Sequence, residues 1–112
     1  MLVCYHGETP HIINQQRADM ILEVIADPRL RNIINCTKDE FKNVKQISRE
    51  LKLSVSTTYR YIHELKRKNI LIVSSNIQLG KKTFAYKSKI QKVISTFEGQ
   101  KIDVKIYTNL RD

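Results

Sequence analysis

Apolar residues between positions 14 and 68 recur at the three- and four-residue spacing of amphipathic helices. Asn14 is a suitable N-cap for a first helix over residues 15–26, which ends at Asp27-Pro28. Asp27 can in turn cap a second helix, because a proline is well tolerated at the first helical position. The first part of the chain therefore predicts two short consecutive helices.

Two further helices are predicted before the pattern changes. Asn43 precedes a short third helix, although a capping box from Thr37 to Glu40 is an alternative start. Ser54 is placed to cap a fourth helix over about residues 55–68. The third and fourth helices are separated by only a few residues, which is typical of a helix-turn-helix.

After Asn69, a residue that can adopt a left-handed conformation, the apolar positions alternate and predict strands. One basic hairpin is predicted around Gly80-Lys81-Lys82, and a second around Glu98-Gly99-Gln100. The four predicted strands are Leu71–Leu79, Thr83–Ile90, Lys92–Phe97 and Lys101–Tyr107.

This order of elements predicts an α+β fold, a winged helix-turn-helix of four helices followed by a β-hairpin wing and a second C-terminal β-hairpin. Residues 1–13 show no period and are expected to be a flexible N-terminal arm. Residues 14–90 are expected to form the winged helix-turn-helix domain, with 91–112 packed on the same domain. The second hairpin is expected either to extend the wing sheet over the core or to contact another subunit.

The net charge of +9 is concentrated in the middle of the chain. Residues 38–68 hold nine Lys or Arg against four acidic residues, and residues 81–92 hold five lysines and no acid. A polyanion is the natural partner of such a block, since each neutralised phosphate releases a condensed counterion. A solubilising surface is the alternative that charge alone leaves open.

The fourth helix is predicted to be two-faced. At 100° per residue, one side, which is expected to pack on the domain, collects Thr58, Tyr61, Ile62, Leu65 and Asn69. The opposite side carries hydrogen-bond donors, cations and a flat aromatic ring, as a helix that enters the major groove requires. Its members are Ser56, Tyr59, Arg60, His63 and Arg67.

Residues 46–65 resemble the helix-turn-helix of bacterial and archaeal regulators, which show an L-x-x-x-L-x-[LIV]-S-x-[SA]-T-[VT] run and then L-x-x-L-x-x-x-x-[IL]-[LIV]. Upstream, residues 26–34 look like the A-D-P-x-R-x-x-I-L entry of the arsenic-repressor (ArsR-like) family. A glycine usually precedes the wing in this family, and Asn69 stands there in this sequence. The matching positions include Ile47, Leu51, Leu53, Ser54, Ser56, Thr57, Thr58, Ile62, Leu65, Ile70 and Leu71.

The resemblance implies a transcription regulator that binds double-stranded DNA as a homodimer, with two reading helices in successive major grooves. By the same resemblance, Ser56, Thr57, Tyr59 and Arg60 would meet the bases, whereas His63 is more often a polar surface residue than a DNA contact. Phosphate or minor-groove contacts are expected from Lys45, Lys66, Arg67, Lys81 and Lys82. The dimer is expected to form through residues 15–26, with a contribution from the C-terminal hairpin.

Metal binding, catalysis and membrane insertion are not expected. Many relatives sense metals through cysteines in the third helix, but residues 44–51 contain none, and a site built from Cys4, His6, His11 and Cys36 is a minor alternative. No nucleophile pair, phosphate loop or cofactor motif is present, so the chain is not expected to be an enzyme. Two isolated cysteines and the lack of a signal sequence favour the cytoplasm, and the lysine and isoleucine usage favours an archaeal source.

Two other functions remain open at this point. A winged helix can serve as a protein-interaction module, which the basic block argues against. A non-specific nucleoid protein would share the basic block but would prefer no particular sequence.

Overall fold

The computed structural model describes residues 1–109, which form four helices and six strands. The chain order places one hairpin before the helices and two hairpins after them. The elements are β1 Leu2–His6, β2 Thr9–Ile12, α1 Gln15–Ala26, α2 Pro28–Cys36, α3 Val44–Leu51, α4 Val55–Arg67, β3 Leu71–Gln78, β4 Lys81–Ser88, β5 Ile90–Glu98 and β6 Lys101–Thr108.

All four helices begin at the predicted N-caps. The side chains of Asn14, Asp27, Asn43 and Ser54 each accept a hydrogen bond from a backbone N–H in the first turn of their helix. Asn43 forms a reciprocal capping box with Gln46. Helix α3 therefore begins after Asn43 and not at the alternative capping box of residues 37–40. The four predicted helices are therefore confirmed, and the bounds predicted for the first and fourth agree within one residue.

The backbone turns sharply at both ends of α4. Lys52 follows α3 with φ 55°, a left-handed conformation that redirects the chain toward α4. Asn69 follows α4 with φ 57°, as predicted for the residue that replaces the usual glycine. Asparagine tolerates this conformation better than most side chains, so the chain can leave the helix and enter β3 without glycine.

The wing consists of β3 and β4, paired antiparallel from Leu71–Ser88 to Gln78–Lys81. A backbone bridge between Lys42 and Tyr86 attaches it to the segment before α3. The turn lies at Leu79-Gly80, and the prediction that places Lys81 and Lys82 in it is wrong. Both turn residues have positive φ, as a two-residue turn of type I′ requires, and the two lysines are the first residues of β4.

A second sheet contains the remaining strands in the order β2-β1-β6-β5. It is separate from the wing sheet, so the C-terminal hairpin does not extend the wing. The expectation of a flexible arm is wrong for residues 2–12, because β1 pairs antiparallel with β2 and parallel with β6. Leu2 opposes Val104 in that parallel pairing, and Val3 is buried.

One apolar core joins the helices to both sheets. Leu30, Ile47 and Ile62 are fully buried at its centre, and Val104 and Ile106 of β6 belong to the same cluster. The radius of gyration is 15.2 Å, larger than the roughly 13 Å of a compact domain of this length, because the hairpins project from the core. Within residues 1–109, no helix has the length and apolar character needed to cross a membrane.

Candidate nucleic-acid interface

Helix α4 separates its buried and exposed side chains as the sequence periodicity predicts. Thr58, Ile62 and Leu65 are buried against the core. The Thr58 hydroxyl donates to the Ser54 carbonyl at 2.9 Å, so its burial leaves no polar group unsatisfied. The opposite face is exposed and consists of Ser56, Tyr59, Arg60, His63, Lys66 and Arg67.

The N-terminal turn of α4 presents a group of hydroxyls. Ser54 Oγ accepts from the Thr57 backbone N–H at 3.1 Å and donates to Thr57 Oγ1 at 2.9 Å. Ser56 Oγ lies 3.3 Å from the same Ser54 oxygen. These bonds hold Ser56 and Thr57 in place at the positive end of the helix, where a phosphate or a base acceptor would be favoured.

Three side chains on the exposed face are free to bind a ligand. Arg60, His63 and Arg67 make no side-chain hydrogen bond within the described residues 1–109, and they line a shallow concavity together with Tyr59. The Arg60 guanidinium lies 5.9 Å from the centre of the Tyr61 ring, which is within the range of a cation–π interaction. A guanidinium held in this way can still present its fork of donors outward.

A groove runs between α4 and the wing. Tyr59 forms part of its floor with Phe84 and Tyr86 of β4, and Lys45 and Lys82 stand at its edges. The Lys82 ammonium lies 5.5 Å from the centre of the Phe84 ring. The structure thus brings together a base-reading candidate of the helix and predicted phosphate contacts of α3 and the wing.

Lys81 and Lys82 are not equivalent, since consecutive residues of a strand point to opposite faces. Lys82 lines the groove beside α4, whereas Lys81 opposes Gln78 at the tip of the ribbon and does not line it. Lys66 lines the neighbouring concavity formed by Tyr59, Phe84 and Tyr86. Of the two wing lysines, only Lys82 therefore shares a surface with the exposed face of α4.

The sequence prediction did not include the aromatic side chains of β4. Phe84 is 43% exposed and Tyr86 is buried, and both face Tyr59 across the groove. Burial, together with the neighbouring Tyr59, raises the pKa of Tyr86, so its phenol remains a hydrogen-bond donor. The signal available in the sequence was their i, i+2 spacing, which places both on one face of a strand.

The cysteines and histidines considered for metal binding do not assemble into one site. Cys36 Sγ donates to Glu50 at the contact between α2 and α3. Cys4, His6 and His11 lie on the N-terminal hairpin, where the two imidazole rings are 4.6 Å apart. Residues 1–109 contain no group of three or more His, Cys, Asp or Glu side chains arranged to hold a metal ion.

No family model and no curated protein matches the chain. Solved structures do match. Reduced HlyU from Vibrio cholerae superimposes with a TM-score of 0.59 at 24% identity, over 67% of this chain and 75% of HlyU. NolR from Sinorhizobium fredii superimposes with a TM-score of 0.53 at 23% identity, over 65% of this chain and 69% of NolR. The chain therefore has the winged-helix fold.

Proposed function

We propose that this protein is a sequence-specific, double-stranded DNA-binding transcription regulator of the ArsR-like type that acts as a dimer. The observation that carries the proposal is the shared surface of α4 and the wing. There, the side chains of Arg60, Lys45, Lys66 and Lys82 surround exposed Tyr59, and within residues 1–109 the Arg60 guanidinium forms no ion pair. The winged-helix fold that the chain shares with HlyU and NolR supports the proposal.

Base reading is assigned to the exposed face of α4. The major groove admits one α-helix, and a guanidinium can bond both acceptors of a guanine edge. Arg60 is assigned this role because its guanidinium makes no hydrogen bond within residues 1–109 and lies 5.9 Å from the centre of the Tyr61 ring. Ser56 and Thr57 contact a base or phosphate at the helix N-terminus, and Tyr59, 54% exposed, offers a flat apolar surface to a thymine methyl.

Phosphate contacts are assigned to the lysines and arginine around this face. Lys45 and Lys82 flank the groove on the α3 and wing sides, and Lys66 and Arg67 extend the cationic surface toward the end of α4. Lys81 reaches a phosphate or the minor groove from the wing tip. These contacts position the protein and carry no sequence information by themselves.

The dimer is proposed to form through α1 with a contribution from the C-terminal hairpin. Ala18, Ile21 and Val24 of α1 face the core of their own subunit, whereas Met20 and Leu22 are only partly covered. A two-fold arrangement would place two copies of α4 about 34 Å apart, one helical turn of DNA. Sedimentation at micromolar concentrations tests this, and a monomer under those conditions contradicts it.

The DNA-binding function is tested by titrating random duplex at two salt concentrations and then selecting for enriched sequences. We expect affinity that falls steeply with salt, followed by enrichment of a two-fold symmetric site. Salt-dependent binding without an enriched site would instead indicate a non-specific nucleoid protein. No duplex binding at low salt would leave a protein-interaction module as the function.

A further inference from the structure

A pocket of about 230 Å³ lies where the N-terminal hairpin, α1, the end of α4 and β6 meet. We call it the junction pocket. Its walls include the apolar side chains of Ile21, Ile90 and Ile106, and its polar lining includes Cys4, His6, His11, Arg17, Asn69, Lys89 and Thr108. The volume is below the range typical of sites for drug-sized ligands, so only a small molecule fits.

Two cations that line the junction pocket converge on the residues that follow α4. Arg17 donates from Nη1 to the Lys68 carbonyl at 2.6 Å and from Nη2 to the Asn69 carbonyl at 3.2 Å. Lys89 Nζ donates to Asn69 Oδ1 at 2.6 Å. Both cations are thus held by neutral oxygen atoms of one short segment.

The positive charge of the junction pocket is not balanced. None of its lining residues is acidic, and neither Arg17 nor Lys89 forms an ion pair within the described part of the chain. Burial, and then the neighbouring Arg17, lower the pKa of Lys89, as expected for a half-buried cation without a counter-charge. A bound anion would remove this electrostatic penalty.

We propose that the junction pocket binds a small organic oxyanion, a carboxylate or a phosphate ester with an apolar body. The guanidinium of Arg17 and the ammonium of Lys89 bind the anionic group through charge-assisted hydrogen bonds. The apolar body lies against Ile21, Ile90 and Ile106. His6 is held at the rim, because its Nδ1 is 2.9 Å from Thr108 Oγ1, whose hydroxyl donates to the Tyr5 carbonyl.

Oxyanion binding in the junction pocket would also affect α4, the proposed DNA-reading helix. This consequence rests on the proposed function. Arg17 and Lys89 now hold the backbone and side chain at the C-terminal end of α4. An oxyanion competes for the same donors, so the bound and free states differ in how firmly that end is held. We take the state in which this end of α4 is firmly held as the one that binds DNA. An oxyanion that releases it therefore lowers the affinity for DNA.

The pocket is tested on the free protein by NMR, by following the backbone amides during titration with benzoate and with phenyl phosphate at constant ionic strength. Inorganic phosphate and neutral benzamide are the comparison probes. We expect saturable shifts at residues 69, 89 and 108 with the two organic anions and none with benzamide. Whichever of benzoate and phenyl phosphate binds with the higher affinity shows whether the pocket prefers a carboxylate or a phosphate ester.

Variants locate the binding to the junction pocket. Lys89→Gln lowers the affinity for the organic anion by about tenfold, because one charge-assisted hydrogen bond is lost. Lys105→Gln removes an exposed lysine on β6 and leaves the affinity unchanged. The proposal is overturned by the absence of shifts with both anions, by equal binding in Lys89→Gln, or by inorganic phosphate binding as tightly as the organic anions.

The coupling to DNA is measured separately, by repeating a duplex titration with saturating organic anion. Because Lys89→Gln binds the anion about tenfold more weakly, a larger loss of DNA affinity in the wild type than in this variant at the same anion concentration supports the coupling. If the anion binds and the DNA affinity is unchanged, the coupling is overturned. If the protein binds no DNA, the proposed function fails, whereas the NMR result still decides whether the pocket binds an oxyanion.

Discussion

Cys36 lies in a small polar cluster at the contact between α2 and α3. Its thiol donates to Glu50 Oε2 at 2.9 Å, and the Lys42 ammonium donates to the same oxygen at 2.9 Å. Burial, and then the hydrogen bond to Glu50, raise the pKa of Cys36 to about 11. The side chain therefore stays a neutral thiol at physiological pH, which fits a structural residue better than a reactive one.

We expect Cys36 to be alkylated slowly at pH 8, at least about tenfold more slowly than an unperturbed cysteine, because the thiolate is the nucleophile. The rate should keep rising with pH up to about 11. Iodoacetamide labelling in a Cys4→Ser background, followed by mass spectrometry, measures it.

The matched variants are Glu50→Gln and Glu40→Gln. Glu50→Gln removes the negative acceptor, so the pKa of Cys36 falls and labelling at pH 8 becomes faster. Glu40 lies 4.0 Å from Lys42 and is not a partner of the thiol, so its variant should label like the parent. Equal rates in Glu50→Gln and in the parent would contradict the account of this cluster.

At the scale of the element, the wing turn contains a strained residue. Leu79 has φ 53° and its side chain is fully exposed, so the left-handed conformation is not compensated by packing. Gly80 follows it with φ 76°. An Asn-Gly pair is the preferred sequence for this type of two-residue hairpin turn.

Leu79→Asn should stabilise the wing by about 1 kcal/mol, because asparagine adopts the left-handed conformation at lower cost. Amide hydrogen exchange in β3 and β4 measures this directly, since the wing can open without global unfolding. Leu79→Ala is the control, because it removes the exposed side chain and keeps the strained backbone. Equal protection in both variants would show that backbone strain is not the cause.

The helices could be predicted from the sequence because their signals are local. Each has its N-cap and its apolar stripe within a few residues, and Asn14, Asn43 and Ser54 all cap as predicted. The exposed face of α4 follows from the same periodicity. The relation between Tyr59 and Phe84 could not be predicted, since it depends on how the wing folds back on the helix.

The N-terminal hairpin had no comparable signal in the sequence. Strand β1 has five residues, and its parallel partner β6 begins about 100 residues later. The pairing of β1 with β6 leaves no local pattern, because it depends on backbone hydrogen bonds to a strand that is distant in sequence. The junction pocket was missed for the same reason, as His6 and Lys89 approach only after this pairing forms.

At the scale of the whole molecule, the N-terminal and C-terminal hairpins form one sheet that packs against the helical core. Val3 is buried between β2 and β6, where it opposes Ile12 and Lys105. Strand β6 in turn contributes Val104 to the common core. Loss of the N-terminal hairpin should therefore destabilise the entire domain, which a flexible arm would not do.

Val3→Ala should lower the free energy of unfolding by about 2 kcal/mol, since it removes two buried methyl groups and leaves a cavity. Thr9→Ala is the matched control, because it shortens a side chain of the same hairpin at an exposed position. Urea denaturation followed by circular dichroism measures both. Equal stability of the two variants would indicate that the hairpin is not packed in solution.

The charge distribution of the whole molecule also indicates the surface formed by α4 and the wing as the DNA-binding surface. The basic block of residues 38–92 includes Lys45, Lys66 and Lys82, which the fold gathers around α4. If α4 reads bases and the wing positions the protein, Arg60 and Lys82 must act differently on different DNA sequences.

The most direct test measures the affinity of Arg60→Ala and Lys82→Ala for the selected site and for a scrambled duplex. For Arg60→Ala we predict a loss of about 1–3 kcal/mol on the selected site and a much smaller one on scrambled DNA. For Lys82→Ala we predict the same loss on both, with a salt slope smaller by about one. Equal losses for Arg60→Ala on both duplexes would contradict the assignment of α4 as the reading helix.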